Sequence, residues 1–299
     1  MKKITVVGSS NTDMVIKSAN LPSAGETILG GDFLMNPGGK GANQAVATAR
    51  LGGDTTFITK TGNDIFGKQA VDLFKKEGIN TEFIAIDPKK PSGVALIMVD
   101  NHGENCISVA LGANGTLNAQ DIDKAEKQIK SSEIVLMQLE IPLPTVEYVT
   151  KLANDAGVKV VLNPAPAQKL SAILLSSLYL LTPNESEAEI LTGIKVNAES
   201  SASKAAEIMK SNGVKNVIIT MGAAGAFVST DSEELMIPAP RAEVVDTTAA
   251  GDTFNGALVV ALAEKKSFMD AVIFANKAAS FSVTKLGAQA SVPFRKDIQ

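Results

Sequence analysis

Six short apolar runs recur along the chain: Ile4-Thr5-Val6-Val7, Thr55 to Thr59, Ile134 to Glu140, Val158 to Asn163, Leu178 to Asn184 and Val217-Ile218-Ile219. None alternates cleanly between apolar and polar, so each reads as a strand buried on both faces. Between them stand stretches with helical spacing. Phe66 to Glu77 is amphipathic and closed by Gly78, and a second such stretch ends near Ala156. Buried strands alternating with helices predict an α/β fold: a doubly wound, mostly parallel sheet with helices on both faces. The last two predicted helices, about Ala250 to Lys265 and Ser267 to Lys285, are rich in alanine, which permits close packing on the sheet.

Two segments break the rhythm. Leu21 to Pro37 is poor in helix formers and predicts irregular or extended structure, and Val94 to Val99 with Cys106 to Leu111 predicts two strands joined by Asn101-His102-Gly103-Glu104. They fit a small sheet covering a cleft, or an edge hairpin on the main sheet. Ala226 to Pro240 predicts another hairpin. With no repeat or linker, one domain over 1–299 is expected, with a lid drawn from about 14–37 and 92–112.

Polar residues close each apolar run: Asn11, Thr12 and Asp13 after the first, then Glu140, Asn163, Asn184 with Glu185 and Glu187, and Thr220. Open α/β sheets bind ligands at such carboxyl ends. Asn11 and Asp13 are candidates for hydroxyl recognition, with ordinary turn residues as the competing reading.

Two glycine-rich stretches precede predicted helices. In Asn36-Pro37-Gly38-Gly39-Lys40-Gly41-Ala42-Asn43-Gln44, helical spacing begins at Ala42, which puts the turn at a helix N-terminus with bare backbone. It is neither a P-loop, since Gly rather than Ser or Thr follows the Lys, nor a dinucleotide fingerprint after the first strand. The second stretch runs from Val245 to Gly256. Ala249, Ala250 and Gly251 lie where Ser, Thr, Asn or Asp would cap a helix better, by about 1 kcal/mol. Small residues there leave room for an anion on the free N–H groups. Asp252 inside an anion site would repel a phosphate unless it takes the proton of the group attacking that phosphate; the competing reading is an acid stabilised by the helix dipole.

Composition narrows the class. Hydrophobic residues make up 45% of 299, enough for a large core, and a net charge of -4 without a basic block argues against nucleic acid or an anionic membrane as the main partner. No apolar run suggests a signal peptide or a membrane span, so a cytoplasmic protein is expected. Cys106 is the only cysteine and His102 the only histidine. The first excludes an internal disulfide; the second leaves proton transfer to a carboxylate or a lysine.

Taken together, Gly38-Gly39-Lys40-Gly41-Ala42-Asn43-Gln44-Ala45 and Asp246-Thr247-Thr248-Ala249-Ala250-Gly251-Asp252-Thr253-Phe254-Asn255-Gly256 resemble the ribokinase-like (phosphofructokinase-B) sugar kinases over essentially the whole chain. The resemblance implies phosphorylation of D-ribose at its 5-hydroxyl by ATP. It implies Asp252 as base and the Ala249 to Asp252 backbone as anion hole. Asn11, Thr12, Asp13, Gly39, Lys40, Gly41, Ala42, Asn43 and Glu140 would lie on the sugar. Asn184 and Glu187 would organise Mg²⁺ and phosphate, the turn Thr220-Met221-Gly222-Ala223-Ala224-Gly225 would border the nucleotide, and Asn276 would sit near adenine or ribose. A K⁺ site would involve Asp246, Thr248, Ser282, Lys285, Gly287 and Ser291, largely through backbone carbonyls. A homodimer through the lid edges is also implied. A kinase for another pentose, a ketohexose or a nucleoside, and a non-catalytic sugar-binding regulator, remain the alternatives.

Overall fold

The computed structural model describes residues 2–298. Its strands, in chain order, are β1 (Lys3–Val7), β2 (Asn11–Lys17), β3 (Asp32–Gly38), β4 (Asp54–Gly62), β5 (Ile84–Asp87), β6 (Gly93–Val99), β7 (Asn105–Ala110), β8 (Ile134–Met137), β9 (Lys159–Leu162), β10 (Leu180–Leu181), β11 (Val217–Thr220), β12 (Ala226–Ser229) and β13 (Glu234–Ile237). Nine form one sheet in the order β13-β12-β11-β10-β9-β8-β1-β4-β5. It is parallel from β11 through β5, and the β12–β13 hairpin adds antiparallel at one edge.

Both faces of that sheet are buried, as the unbroken apolar runs require. Successive residues of one strand enter opposite cores: Ile134 and Leu136 of β8 pack with the helices Lys40–Arg50 and Ala250–Ala263, whereas Val135 and Met137 join the core under Leu143–Asp155 and Glu199–Ser211. This is a doubly wound α/β architecture. Among the described residues no helix is long and apolar enough to cross a membrane.

The remaining four strands form a separate sheet in the order β3-β2-β6-β7. The hairpin of β6 and β7 therefore does not sit on the edge of the main sheet; β6 pairs in parallel with β2 instead. Asn11 and Asp13, for which ordinary turn residues were the competing reading, stand with Thr12 at the start of β2. Two apolar runs are truncated relative to expectation: β8 stops at Met137, leaving Gln138 to Glu140 beyond the ladder, and β10 keeps only two residues. The short strand β5 was not anticipated, because its pattern is only half-buried.

The helices that follow the two glycine-rich stretches pack directly on each other at Gly256. A Cβ added there would meet the Ala47 Cβ at 2.5 Å, the Thr48 N at 3.0 Å and the Gln44 O at 3.1 Å. Alanine in place of an interior helix glycine normally gains roughly 1 kcal/mol, whereas overpacking costs about 1–3 kcal/mol. Gly256→Ala is therefore expected to lower the urea midpoint and to reduce activity by shifting Gln44 against Asp252. A variant as stable as the parent would show that the two helices can separate freely.

Candidate active site

The carboxyl ends of β1, β8, β9 and β11 converge on the starts of the two motif helices. Between them lies a cleft lined by Lys40, Asn163, Thr182, Asn184, Glu187, Thr220, Thr247, Ala249, Gly251, Asp252 and Asn255, among others. Asp252 is 6% exposed. Its Oδ2 accepts from Asn43 Nδ2 at 2.9 Å and its Oδ1 from Gln44 Nε2 at 2.9 Å. Burial pushes its carboxyl above the usual value, opposed by the Lys40 charge and by the two amides. Lys40 in turn is raised, first by Asp252 and against its own burial. Each charge thus opposes the effect of burial on the other.

The two helix starts differ. At Lys40–Arg50 every early N–H is satisfied within the chain: Lys40 N donates to Glu140 Oε2 at 3.0 Å, Gly41 N to Ser9 Oγ at 3.3 Å, Ala42 N to the Ser9 O at 2.8 Å and Asn43 N to the Gly39 O at 2.9 Å. The expectation of bare backbone open to a ligand is corrected here. A Cβ on Gly39 or Gly41 would run into the β1–β2 turn, at 2.7 Å from Asn11 N and 2.5 Å from Ser9 N respectively, so these glycines let two backbone segments pack. Ala42 is fully buried in the core.

At Ala250–Ala263 the situation is reversed. Among the described residues no acceptor faces the N–H groups of Gly251 and Asp252, and a Cβ on Gly251 would have nothing within 4 Å. Neither neighbouring atoms nor an unusual backbone demand glycine there; the space belongs to the cleft. The left-handed residue is Ala249 instead, with φ 61 and ψ 14, a conformation that costs a non-glycine residue roughly 1 kcal/mol or more. Asn255 braces this turn by donating to the Gly251 O at 2.8 Å and accepting from Thr182 Oγ1 at 2.6 Å.

On the side of the small sheet stand Asp13, Asn11 and Glu140. Asp13 is pushed up to about 6, first by burial, then by the charges of Glu140 and Asp252, against Lys40. Glu140 Oε2 accepts from Ser9 Oγ at 2.5 Å as well as from Lys40 N. Asn11 Oδ1 accepts from Asn114 Nδ2 at 2.8 Å, which turns the Asn11 amide nitrogen toward the remaining space. Thr12, between Asn11 and Asp13 on one strand, points to the opposite face and leaves the group.

Around the opposite rim, Asn184 and Glu187 line the cleft and also cap the helix Glu185–Thr192 reciprocally: Glu187 N donates to Asn184 Oδ1 at 2.8 Å and Asn184 N to Glu187 Oε2 at 2.8 Å. Glu187 is raised by burial, despite the Asn184 N–H and Lys40. In the turn after β11, Thr220 lines the cleft and Gly222, Ala223 and Ala224 are exposed beside it. Met221 points into the core, and Gly225 is glycine because a Cβ would strike the end of β13. Asn276 is not solvated: it is 4% exposed and donates to the carbonyls of Ile237 at 3.1 Å and Pro238 at 3.4 Å. Its amide is thereby occupied away from the cleft lining.

Asp246 ties the loop before the anion site to the chain's last turns. Its Oδ1 accepts from Thr248 N at 2.8 Å and Thr248 Oγ1 at 2.5 Å, its Oδ2 from Gly287 N at 2.8 Å, and Val283 O accepts from both Val245 N and Asp246 N. Burial raises this carboxyl, and those donors outweigh it, so the group sits below its ordinary value. The side chains of the other expected cation residues turn to local partners: Ser282 to the Ala279 O, Ser291 to the Ala288 O and Lys285 to the Phe281 ring.

Several residues of the site had no role from sequence. Gln44 stands inside the first glycine-rich stretch and Gln138 near the end of an apolar run, without any pattern marking their chemistry. Asn114 comes from a 3-10 turn, Gly112–Thr116, which leaves no periodic trace.

Comparison with known proteins agrees with this geometry. The chain matches the pfkB family carbohydrate kinase pattern over residues 1–295. It is 48% identical to a ribokinase of Haemophilus influenzae over 99% of this chain and 97% of that protein. It is 38% identical to a deoxyribokinase of Salmonella typhi over 97% of this chain and 95% of that one. The structure of Arabidopsis thaliana ribokinase complexed with ribose and ATP superposes with a TM-score of 0.93 at 34% identity, covering 100% of this chain and 98% of the other. With a pattern matched across nearly its whole length, the chain belongs to the pfkB family of carbohydrate kinases.

Proposed function

We infer that this chain transfers the γ-phosphoryl group of ATP to the 5-hydroxyl of D-ribose, giving D-ribose 5-phosphate. The observation that carries the reading is one cleft holding a buried, amide-bound carboxylate beside unpaired helix N–H groups. That pair meets both needs of phosphoryl transfer, a proton acceptor and a preformed donor set for the charge on the moving group.

In the proposed reaction Asp252 accepts the proton of the attacking hydroxyl, and the N–H groups of Gly251 and Asp252 stabilise the transferred phosphoryl oxygens. Lys40 balances Asp252 until the proton moves. Asp13, Asn11, Asn43 and Glu140 bind the other sugar hydroxyls; a polar group left unpaired in such a site costs about 1–3 kcal/mol, which is the basis for rejecting a sugar that lacks a hydroxyl. Asn43 supports this, since its Oδ1 is buried without a partner among the described residues.

The oxygen donors of Asn184 and Glu187 fit Mg²⁺ held largely through water and phosphate, because Glu187 uses only Oε2 in its cap and no group of three or more His, Cys, Asp or Glu gathers among the described residues. Bound there, Mg²⁺ would screen the phosphate charges. An ionised Asp246 beside the carbonyl-rich Ser282 to Gly287 turn fits K⁺, which would stiffen the anion-site loop. The four-stranded sheet serves as the lid. Its exposed Phe33, Leu96 and Ile107, each more than half accessible, support a homodimer through that sheet. An ATP-consuming reaction of this kind belongs in the cytoplasm.

Likeness to a deoxyribokinase favours 2-deoxyribose as the second reading. ATP consumption across ribose, deoxyribose, fructose, xylose and adenosine separates the two: ribose is expected to give the highest kcat/KM, with deoxyribose markedly lower. Preference for deoxyribose would replace the acceptor, and thermal stabilisation by ribose without turnover would make the chain a regulator.

Asp252→Asn is expected to keep the fold and ribose binding while turnover falls by roughly 10²–10⁴. Parental turnover would reduce Asp252 to an acid at a helix start.

For Asp13 the sign follows from its raised value. The folded protein holds this proton more tightly than the unfolded chain, so the stability it contributes is present below the unfolded value of 3.8 and lost as pH rises through about 6. Asp13→Asn should therefore raise the melting temperature of the free enzyme by roughly a few degrees at pH 8 and bring no gain near pH 3.5. The same change should weaken ribose binding and flatten the acid limb of kcat/KM near pH 6. A variant less stable than the parent at pH 8 would mean that Asp13 is structural.

A further inference from the structure

Gln44 is fully buried and lies one helix position from the sugar-facing Asn43. Its Nε2 donates to Asp252 Oδ1 at 2.9 Å and to Asn163 Oδ1 at 3.1 Å, and its Oε1 accepts from Gln138 Nε2. Asn163 is fixed in its turn by donating Nδ2 to the Thr182 O at 3.0 Å. An amide chain thus runs from the end of β8 through the first motif helix to the carboxylate at the start of the second.

Orientation in this chain is dictated by charge. If the Gln44 amide were rotated by half a turn, its oxygen would face Asp252 Oδ1 and Asn163 Oδ1 together, two repulsive contacts beside a buried negative group. Gln44 must therefore present its nitrogen to the base, and Gln138 must present its own nitrogen to Gln44. That leaves Gln138 Oε1 without a hydrogen-bond partner among the described residues, although Gln138 is fully buried. A buried amide oxygen left unpaired is destabilising, and an apolar side chain of similar shape would avoid that cost. What the chain gains by keeping the amide is a fixed donor on one oxygen of Asp252.

Resting on the reading of Asp252 as the base, we propose that Gln44 is a positioning residue for Asp252, fixing the rotation of its carboxylate, and that Gln138 holds Gln44 in the donating orientation. With Asn43 on Oδ2 and Gln44 on Oδ1, the carboxylate plane cannot turn, and the remaining lone pairs face the cleft. The charged groups around Asp252 are Lys40 on the first motif helix, Glu140 beyond β8, Asp13 on β2 and Glu187 on the rim. Lys40 alone favours the ionised form, so a donor amide on each oxygen matters for charge as well as direction.

Steady-state pH profiles of Gln44→Met, Gln44→Glu and Asp252→Asn, with ribose affinity by calorimetry and melting temperature for each, test this. Gln44→Met is expected to lower the kcat plateau by roughly 10- to 100-fold, to move the acid limb of kcat upward by about one pH unit, and to leave ribose affinity near that of the parent. Gln44→Glu should move the limb further, because a second carboxyl then shares the site. Should Gln44→Met fail to fold, Gln138→Met serves, with a smaller shift in the same direction. A parental plateau and limb in Gln44→Met or Gln138→Met, whatever the melting temperature, overturns the proposal. If Asp252→Asn keeps parental turnover, the base itself is misassigned; if it is inactive while Gln44→Met is normal, only the positioning role is lost.

Discussion

A carboxylate at 6% exposure is the constraint on which the rest of the site depends. Removing an ionised Asp252 from water is expensive unless opposite charge and hydrogen bonds replace the lost hydration. The fold meets that demand from the first motif helix, which supplies the Lys40 charge and the Asn43 and Gln44 amides, with Gln44 braced from the end of β8. The two amides must arrive at hydrogen-bond distance together, so the two motif helices cross closely at Gly256 and the β1–β2 turn packs against Gly39 and Gly41. Glycines far apart in sequence thus serve one electrostatic requirement.

The same requirement explains the unequal helix starts. Both could attract an anion by their dipoles. The first is closed by Ser9 and Glu140, which puts a second carboxylate near Lys40, whereas the second keeps the N–H groups of Gly251 and Asp252 open. A phosphate therefore has one place to go. Ala249 holds a left-handed conformation to aim that turn, and the Asp246 clip to Gly287 and the Asn255 brace are what keep the strained residue in place.

Much of this was legible in sequence, and the limits have physical causes. The doubly wound sheet follows from apolar runs such as Ile134 to Met137, since burial on both faces erases alternation. Gly251 was legible because a small residue stands where a plain helix start prefers a cap, whereas Asp252 alone is also what the helix dipole favours. The packing role of Gly39 and Gly41 was not legible, because a glycine needed for backbone packing and one needed for a ligand look alike until the neighbour is seen. Thr12 followed Asn11 and Asp13 into the candidate list until strand pleating put it on the other face. Asn184 and Glu187 are visible in the structure as a reciprocal helix cap that also lines the cleft. Gln44 and Gln138 stayed silent because buried amides have no periodic signal; their meaning lies in which way each is turned.

Charge also arranges the cleft from end to end. Asp13, Glu140, Asp252 and Glu187 contribute four carboxyls, and Lys40 is the single Lys or Arg among the residues lining it. Such a field disfavours a free phosphate near the small sheet, where neutral sugar hydroxyls can instead donate to Asp13 and Glu140. On the proposed reading phosphate is received at the Gly251 end, where the N–H groups of Gly251 and Asp252 are free. In the proposed reaction that asymmetry separates acceptor from donor, and Asp252 sits at the boundary between them. Neutralising it by proton uptake during transfer lowers the repulsion toward the incoming phosphoryl group, so the same residue that repels a phosphate at rest ceases to do so as the bond forms.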